Sequence, residues 1–178
     1  GPTTSYRTLP MHEVPLPRGM QELCVVANFV EVWLAREGHG HPVGINYLEK
    51  IQLPHLPSMY GAMLAGVRYV LMGAGIPLKV PGALDLLARH EAATYPLAVT
   101  GAQAGDDHVI RFDPRDVMPG DLPTLSRPDF LAIVSSATLA TTMVKRANGR
   151  VDGFVVEGPT AGGHNAPPRG KAQFDGGG

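Results

Sequence analysis

Short, continuously apolar segments alternate with segments of helical period along most of this chain, and that alternation admits few folds. The apolar segments at residues 43–47, 69–72, 96–100, 130–134 and 153–156 are each four or five residues long. They read as buried strands. Between them, Leu23, Val26, Ala27, Val30, Trp33 and Leu34 recur at three- and four-residue spacing, predicting a helix over 20–37 with a wide apolar face and Gly38 as its stop. Leu56, Met59, Tyr60, Met63, Leu64 and Val67 repeat in the same way, and shorter helices are expected over 82–90 and 137–147. Apolar strands separated by helices predict an α/β fold with a parallel sheet covered on both faces.

The same right-handed βαβ unit builds open sheets and closed barrels. A complete (β/α)8 TIM barrel takes about 250 residues. This chain has 178 residues and five candidate strands, so a barrel built from it is expected to be incomplete. Residues 1–19, with Pro2, Pro10, Pro15 and Pro17, read as an extended arm, and 20–170 as one β/α domain. An excursion at 101–128 contains the alternating run from His108 to Phe112 and is expected to form a hairpin or an irregular surface segment. Residues 171–178 are a Gly-rich tail.

Composition narrows the function classes. With 44% hydrophobic and 17% charged residues, the chain has the balance of a compact domain with a sizeable core. Lys+Arg 15 against Asp+Glu 16 leaves no basic footprint for nucleic acid. No apolar run reaches the roughly 18 residues of a membrane span. The single cysteine, Cys24, has no partner for an intramolecular disulfide, which makes a cytoplasmic location the default expectation. The chain begins Gly1-Pro2 without an initiator Met, so any targeting signal lies out of view.

In parallel α/β folds, ligands sit beyond the carboxyl ends of the strands. Those positions carry Asn46, then Gly73-Ala74-Gly75, then Ser135-Ser136, then Glu157 followed by Gly158-Pro159-Thr160-Ala161-Gly162-Gly163-His164. Gly162 and Gly163 can present backbone N–H groups to a flat or anionic ligand. His164 directly follows them, and an imidazole with a pKa near 6.5 suits proton abstraction near neutral pH. The plain alternative is a glycine-rich loop with a solvated imidazole. No third glycine completes a dinucleotide fingerprint after Gly73-Ala74-Gly75, and no Gly-Lys-Ser/Thr phosphate loop occurs, which excludes both nucleotide motifs. His39 and His41 lack a carboxylate or cysteine at ligand spacing and read as a surface turn; no metal site is expected. Cys24, Met59, Met63 and Met72 read as core, and Asp106-Asp107 as a solvated turn.

The segments 42–46, 69–73 and, above all, 155–164 make the chain resemble the nitronate monooxygenase (2-nitropropane dioxygenase) family of FMN-dependent TIM barrels. The family's usual motif is Gln-Gly-x-Glu-Ala-Gly-Gly-His, matched by Gly158, Ala161, Gly162, Gly163 and His164. The resemblance implies an FMN oxidoreductase that oxidises nitroalkanes or their nitronates with O2. His164 would remove the proton α to the nitro group. Asn46 and Gly162 would contact the flavin, with Gly73, Ser135 and Gly163 completing the cofactor rim. Glu157 stands at a flavin-contacting position where the family more often has glutamine, and Thr160 replaces the motif's glutamate. The family's first strand and its last, phosphate-binding strands have no counterpart, so the chain is expected to belong to a longer protein or to assemble with itself or another chain. Two other functions fit the same residues: reduction of an enoyl thioester on the same flavin, and a non-catalytic barrel fragment serving as an interaction module.

Overall fold

The computed structural model describes Ser5 and residues 8–103, 105–158 and 160–161. The chain runs through α1 (Arg18–Ala35), β1 (Gly44–Leu48), α2 (His55–Leu64), β2 (Tyr69–Gly73) and α3 (Val80–Ala88). It continues through β3 (Ala93–Pro96), β4 (Val109–Phe112), α4 (Pro114–Val117), β5 (Asp129–Val134), α5 (Ala137–Arg146) and β6 (Gly153–Val156). The helix ends follow local chemistry. Asp113 caps α4 by accepting from the Arg115 N–H, with Pro114 at the first helical position. Ser136 caps α5 by accepting from the Leu139 N–H at 3.2 Å, and Lys145 and Arg146 complement the dipole in its last turn.

Four strands form one parallel sheet in the order β1-β2-β5-β6. Register decides which side chains share a face. Val70 is level with Phe130, and Met72 with Ala132, and all four are completely buried. They pack beneath α2, in which every residue from His55 to Met63 is buried, and beneath the Val80, Leu84 and Leu87 side of α3. Full burial of each large side chain here, such as Leu56 or Phe130, is worth roughly 1.5–3 kcal/mol. The opposite face carries Asn46, Leu71 and Leu131 at one level, and Leu48, Gly73 and Ile133 at the next. Asn46 is exposed, and Leu48, Leu71, Leu131 and Ile133 are half-buried. The described residues therefore cover one face of the sheet, not the two expected from continuously apolar strands.

A second correction concerns the expected strand at 96–100. The strand is β3, which starts three residues earlier and ends four earlier, and it pairs antiparallel with β4 in a separate two-stranded sheet. A hairpin with one buried side needs period-two alternation. Ala93 and Tyr95 supply it against Ile110 and Phe112, all four buried, while Thr94 and Pro96 face outward. The apolar run after Pro96 instead reaches solvent, with Val99 exposed. The excursion thus does contribute a hairpin strand, but its partner precedes residue 101.

The third correction is to α1. The helix exists close to its expected bounds, yet Leu23, Val26, Ala27, Val30, Trp33 and Leu34 are exposed, and Met20, Cys24, Val25 and Val32 are the buried residues. Close approach to α2 selects that face. Gly61 of α2 lies against the Val25 backbone, and a Cβ there would collide with the Val25 carbonyl oxygen. Backbone cannot rotate aside as a side chain can. Gly61→Ala is therefore expected to lower stability by about 1–3 kcal/mol. Gly19→Ala, with nothing within 4 Å of the added atom, is expected to cost nothing. Urea unfolding of the two variants measures the contrast.

Two polar clusters tie the layers together. The buried Tyr60 hydroxyl donates to His90 Nδ1 at 2.8 Å, and His90 Nε2 donates to the Pro123 carbonyl at 3.0 Å, joining α2, the end of α3 and the segment before β5. At the amino ends of β5 and β6, Arg127 Nε donates to Asp85 at 2.7 Å, and its Nη1 bonds Asp152. Asp152 Oδ2 also accepts from the Phe130 N–H at 2.8 Å. This cluster fastens α3 to the sheet at the end opposite the carboxyl rim.

Candidate functional site

The parallel ladder brings the carboxyl ends of four strands to one rim. Leu48 is level with Gly73, and Val134 with Val156. The pairing carries on past the strands, with the Glu49 N–H donating to the Gly73 carbonyl and the Glu157 N–H to the Val134 carbonyl, both at 2.9 Å. Gly73, Ser135 and Glu157 therefore lie at the same end of the sheet. β1 extends to Leu48, so Asn46 sits within the strand, two residues before its end. Its amide projects from the uncovered face and makes no hydrogen bond among the described residues. Gly162, Gly163 and His164 lie outside the described residues.

The glycines after β2 are explained by the protein's own packing. A Cβ on Gly73 would stand 2.9 Å from the Ile133 Cβ, and one on Gly75 would collide with the Glu49 carboxylate. Between them Ala74 takes a left-handed φ of 56°, which makes this a tight, fixed turn. Ser135 is half-buried between β5 and the Ser136 cap of α5.

A cluster beside this turn escaped the sequence reading. Glu49 Oε1 accepts from Gln52 Nε2 at 2.9 Å and from the Tyr95 hydroxyl at 3.2 Å. Gln52 Oε1 in turn accepts from the Ala98 N–H at 2.8 Å, linking the rim to the segment after β3. His55 stands edge-on to the Tyr95 ring, centroids 5.2 Å apart, and donates from Nε2 to the Leu48 carbonyl at 2.9 Å. Burial holds its pKa below the usual histidine value, against the opposing pull of the Leu48 carbonyl and Glu49, so the ring is neutral and its Nδ1 is a buried acceptor with no partner among the described residues. Burial, with Glu49 adding to it, raises the Tyr95 hydroxyl pKa, so Tyr95 remains a donor. The arrangement fixes one carboxylate oxygen at the mouth of β1. The signal was available, since Glu49 follows directly after the strand, but a strand ending at 47 drew attention to Asn46 instead. Tyr95 arrives from the hairpin whose position the apolar pattern misassigned.

Among the described residues no three His, Cys, Asp or Glu side chains stand close enough to hold a metal ion. No helix among them is long and apolar enough to cross a membrane. The rim can accept and donate hydrogen bonds around a flat, partly apolar surface, with Asn46 as its unpartnered amide. No protein-family model, curated protein or solved structure matches the chain.

Proposed function

We propose that the chain is the flavin-binding portion of an FMN-dependent oxidoreductase that oxidises nitroalkanes or nitronates with O2, and that its parallel sheet is a segment of a (β/α)8 barrel. One observation carries the reading: an apolar sheet face that the described residues leave uncovered, with a side-chain amide on it that none of them bonds. Leu71 and Leu131 flank the level of Asn46 on that face, whereas the side chains behind it are completely buried. A flat heteroaromatic ring with polar edges fits such a surface, because the leucines take its face and the amide both donates and accepts at its edge. Asn46 would hold the ring edge. The Glu157 carboxylate would accept from a ring N–H, and Gly162 and Gly163 would offer backbone donors. Ser135 and Gly73 would shape the remaining rim.

Flavin supplies the electron acceptor that O2 reoxidises. The chain's own part is to orient the substrate, to exclude water with the apolar face, and to move one proton, for which His164 is the base. The motif around His164 supports that role, which is required when the substrate enters as the neutral nitroalkane and not when it enters as the nitronate.

Asn46→Ala tests the site. Loss of one hydrogen bond is worth about 0.5–1.5 kcal/mol, so the FMN dissociation constant is expected to rise roughly 2- to 10-fold in a fluorescence-quenching titration. Unchanged affinity contradicts the placement of the ring on this face. Consumption of reduced nicotinamide with an enoyl thioester, and none of O2 with nitroethane, would move the assignment to enoyl reduction on the same cofactor.

A further inference from the structure

We infer that the outer face of α1 is a dimer interface, occupied by α1 of a second copy running antiparallel. An α-helix apolar on opposite sides belongs between two layers, and α1 is such a helix. Its inner side, Val25 and Val32, meets α2, while on the outer side Leu23 is 40% exposed, Val26 57%, Val30 43%, Trp33 56% and Leu34 57%. The 18 residues of α1 span about 27 Å, so the stripe runs along most of its length.

The pattern of the stripe selects a second copy. Leu23, Val26, Val30 and Trp33 follow spacings of three, four and three, which read the same in both directions. Two copies placed antiparallel about a two-fold axis near Asn28 therefore set Leu23 against Trp33 of the other copy, and Val26 against Val30, as in an a/d seam. The same alignment sets Glu22 against Arg36 along one flank, an opposite-charge pair made twice by symmetry. Arg36 already donates through Nη1 to the Ala65 carbonyl, which anchors it and leaves its other nitrogens for that carboxylate. An open depression of about 260 Å³ lined by Trp33, Arg36 and Glu37 lies at the point where the incoming Leu23 would seat. The other flank places Ala27 against Ala27, small enough for close approach. A seam of this length is near the low end of specific interfaces, about 1,200 Å² in total, so the dimer dissociates on dilution.

Sedimentation velocity over a series from nanomolar to high micromolar tests the pairing. The wild-type chain is expected to shift from monomer to dimer. Val26→Glu, a change at an exposed side chain, is expected to keep the far-ultraviolet circular dichroism of the parent and to weaken dimerisation more than 100-fold. A chain that stays monomeric throughout, with the stripe free or reserved for another polypeptide, overturns the proposal, as does a dimer indifferent to Val26→Glu. Orientation is read separately. Ala27→Cys is expected to give a disulfide-linked dimer under mild oxidation, the native Cys24 being buried on the opposite side, and a dimer that forms without this cross-link overturns the antiparallel arrangement.

Discussion

Replacing His164 with alanine in the FMN-loaded chain is expected to reduce turnover of nitroethane by about 10²–10⁴-fold, the usual contribution of a positioned general base. Flavin affinity is expected to change less than about 2-fold, because in the proposed site the base would act on the substrate while Asn46 and the rim would hold the ring. The two readouts separate catalysis from assembly. Oxygen consumption started with preformed nitronate, which has already lost its α-proton, should be far less sensitive to the substitution than consumption started with the neutral nitroalkane. Equal loss on both substrates would remove His164 from the proton-transfer step.

The largest expected effect on stability comes from Arg127→Ala. Arg127 and Asp152 have side chains only 14% and 12% exposed, and the guanidinium also bonds Asp85 and the carbonyls of Pro128 and Arg150. Removing it leaves Asp85 without this ion pair and Asp152 with Arg150 as its remaining counter-charge. Breaking such a pair costs about 3–5 kcal/mol when it is fully buried, and residual solvent access here brings the expectation to about 2–4 kcal/mol. The pH dependence provides the signature. Burial raises the Asp152 pKa, but the Phe130 N–H and the guanidiniums of Arg127 and Arg150 outweigh burial and hold it below the ordinary carboxylate value. A depressed carboxyl pKa stabilises the fold above the unfolded-state value of about 3.9 and ceases to do so as pH falls through the folded-state value. In Arg127→Ala the burial remains while the main counter-charge is gone, so acid unfolding is expected to begin at a higher pH than in the parent. Urea melts at neutral and acidic pH measure both effects, and a loss below about 1 kcal/mol with an unshifted acid transition would show the cluster to be peripheral.

Much of the fold was legible because buried parallel strands are short and apolar, and the helices covering them carry a clear period. The parallel strands and α2, α3 and α5 fall within a few residues of their expected positions. What misled was chemistry that apolar content alone does not record. The run at 96–100 looks like a central strand, but Tyr95 and Phe112 make a hairpin by alternation, a pattern that begins before the run does. In α1 both sides are apolar, and the side facing α2 is chosen by Gly61, a residue thirty-six positions beyond Val25 that allows backbone contact. No local pattern contains that choice. Gly73, Ser135 and Glu157 were legible as rim residues because the ends of parallel strands are fixed by the fold, whereas Asn46 lies two residues inside β1 because the strand runs on to Leu48. The Glu49, Gln52 and Tyr95 cluster was not, because it draws on the turn after β1 and on the misassigned hairpin.

The visible absorption spectrum of the purified chain, taken after incubation with FMN and removal of the excess, decides whether the sheet face holds a flavin. A retained flavin band is expected, with maxima and fine structure that differ from those of free FMN, as for a ring on an apolar face, and with weaker retention in Asn46→Ala. A colourless protein that is folded by circular dichroism would contradict the flavin assignment for this chain.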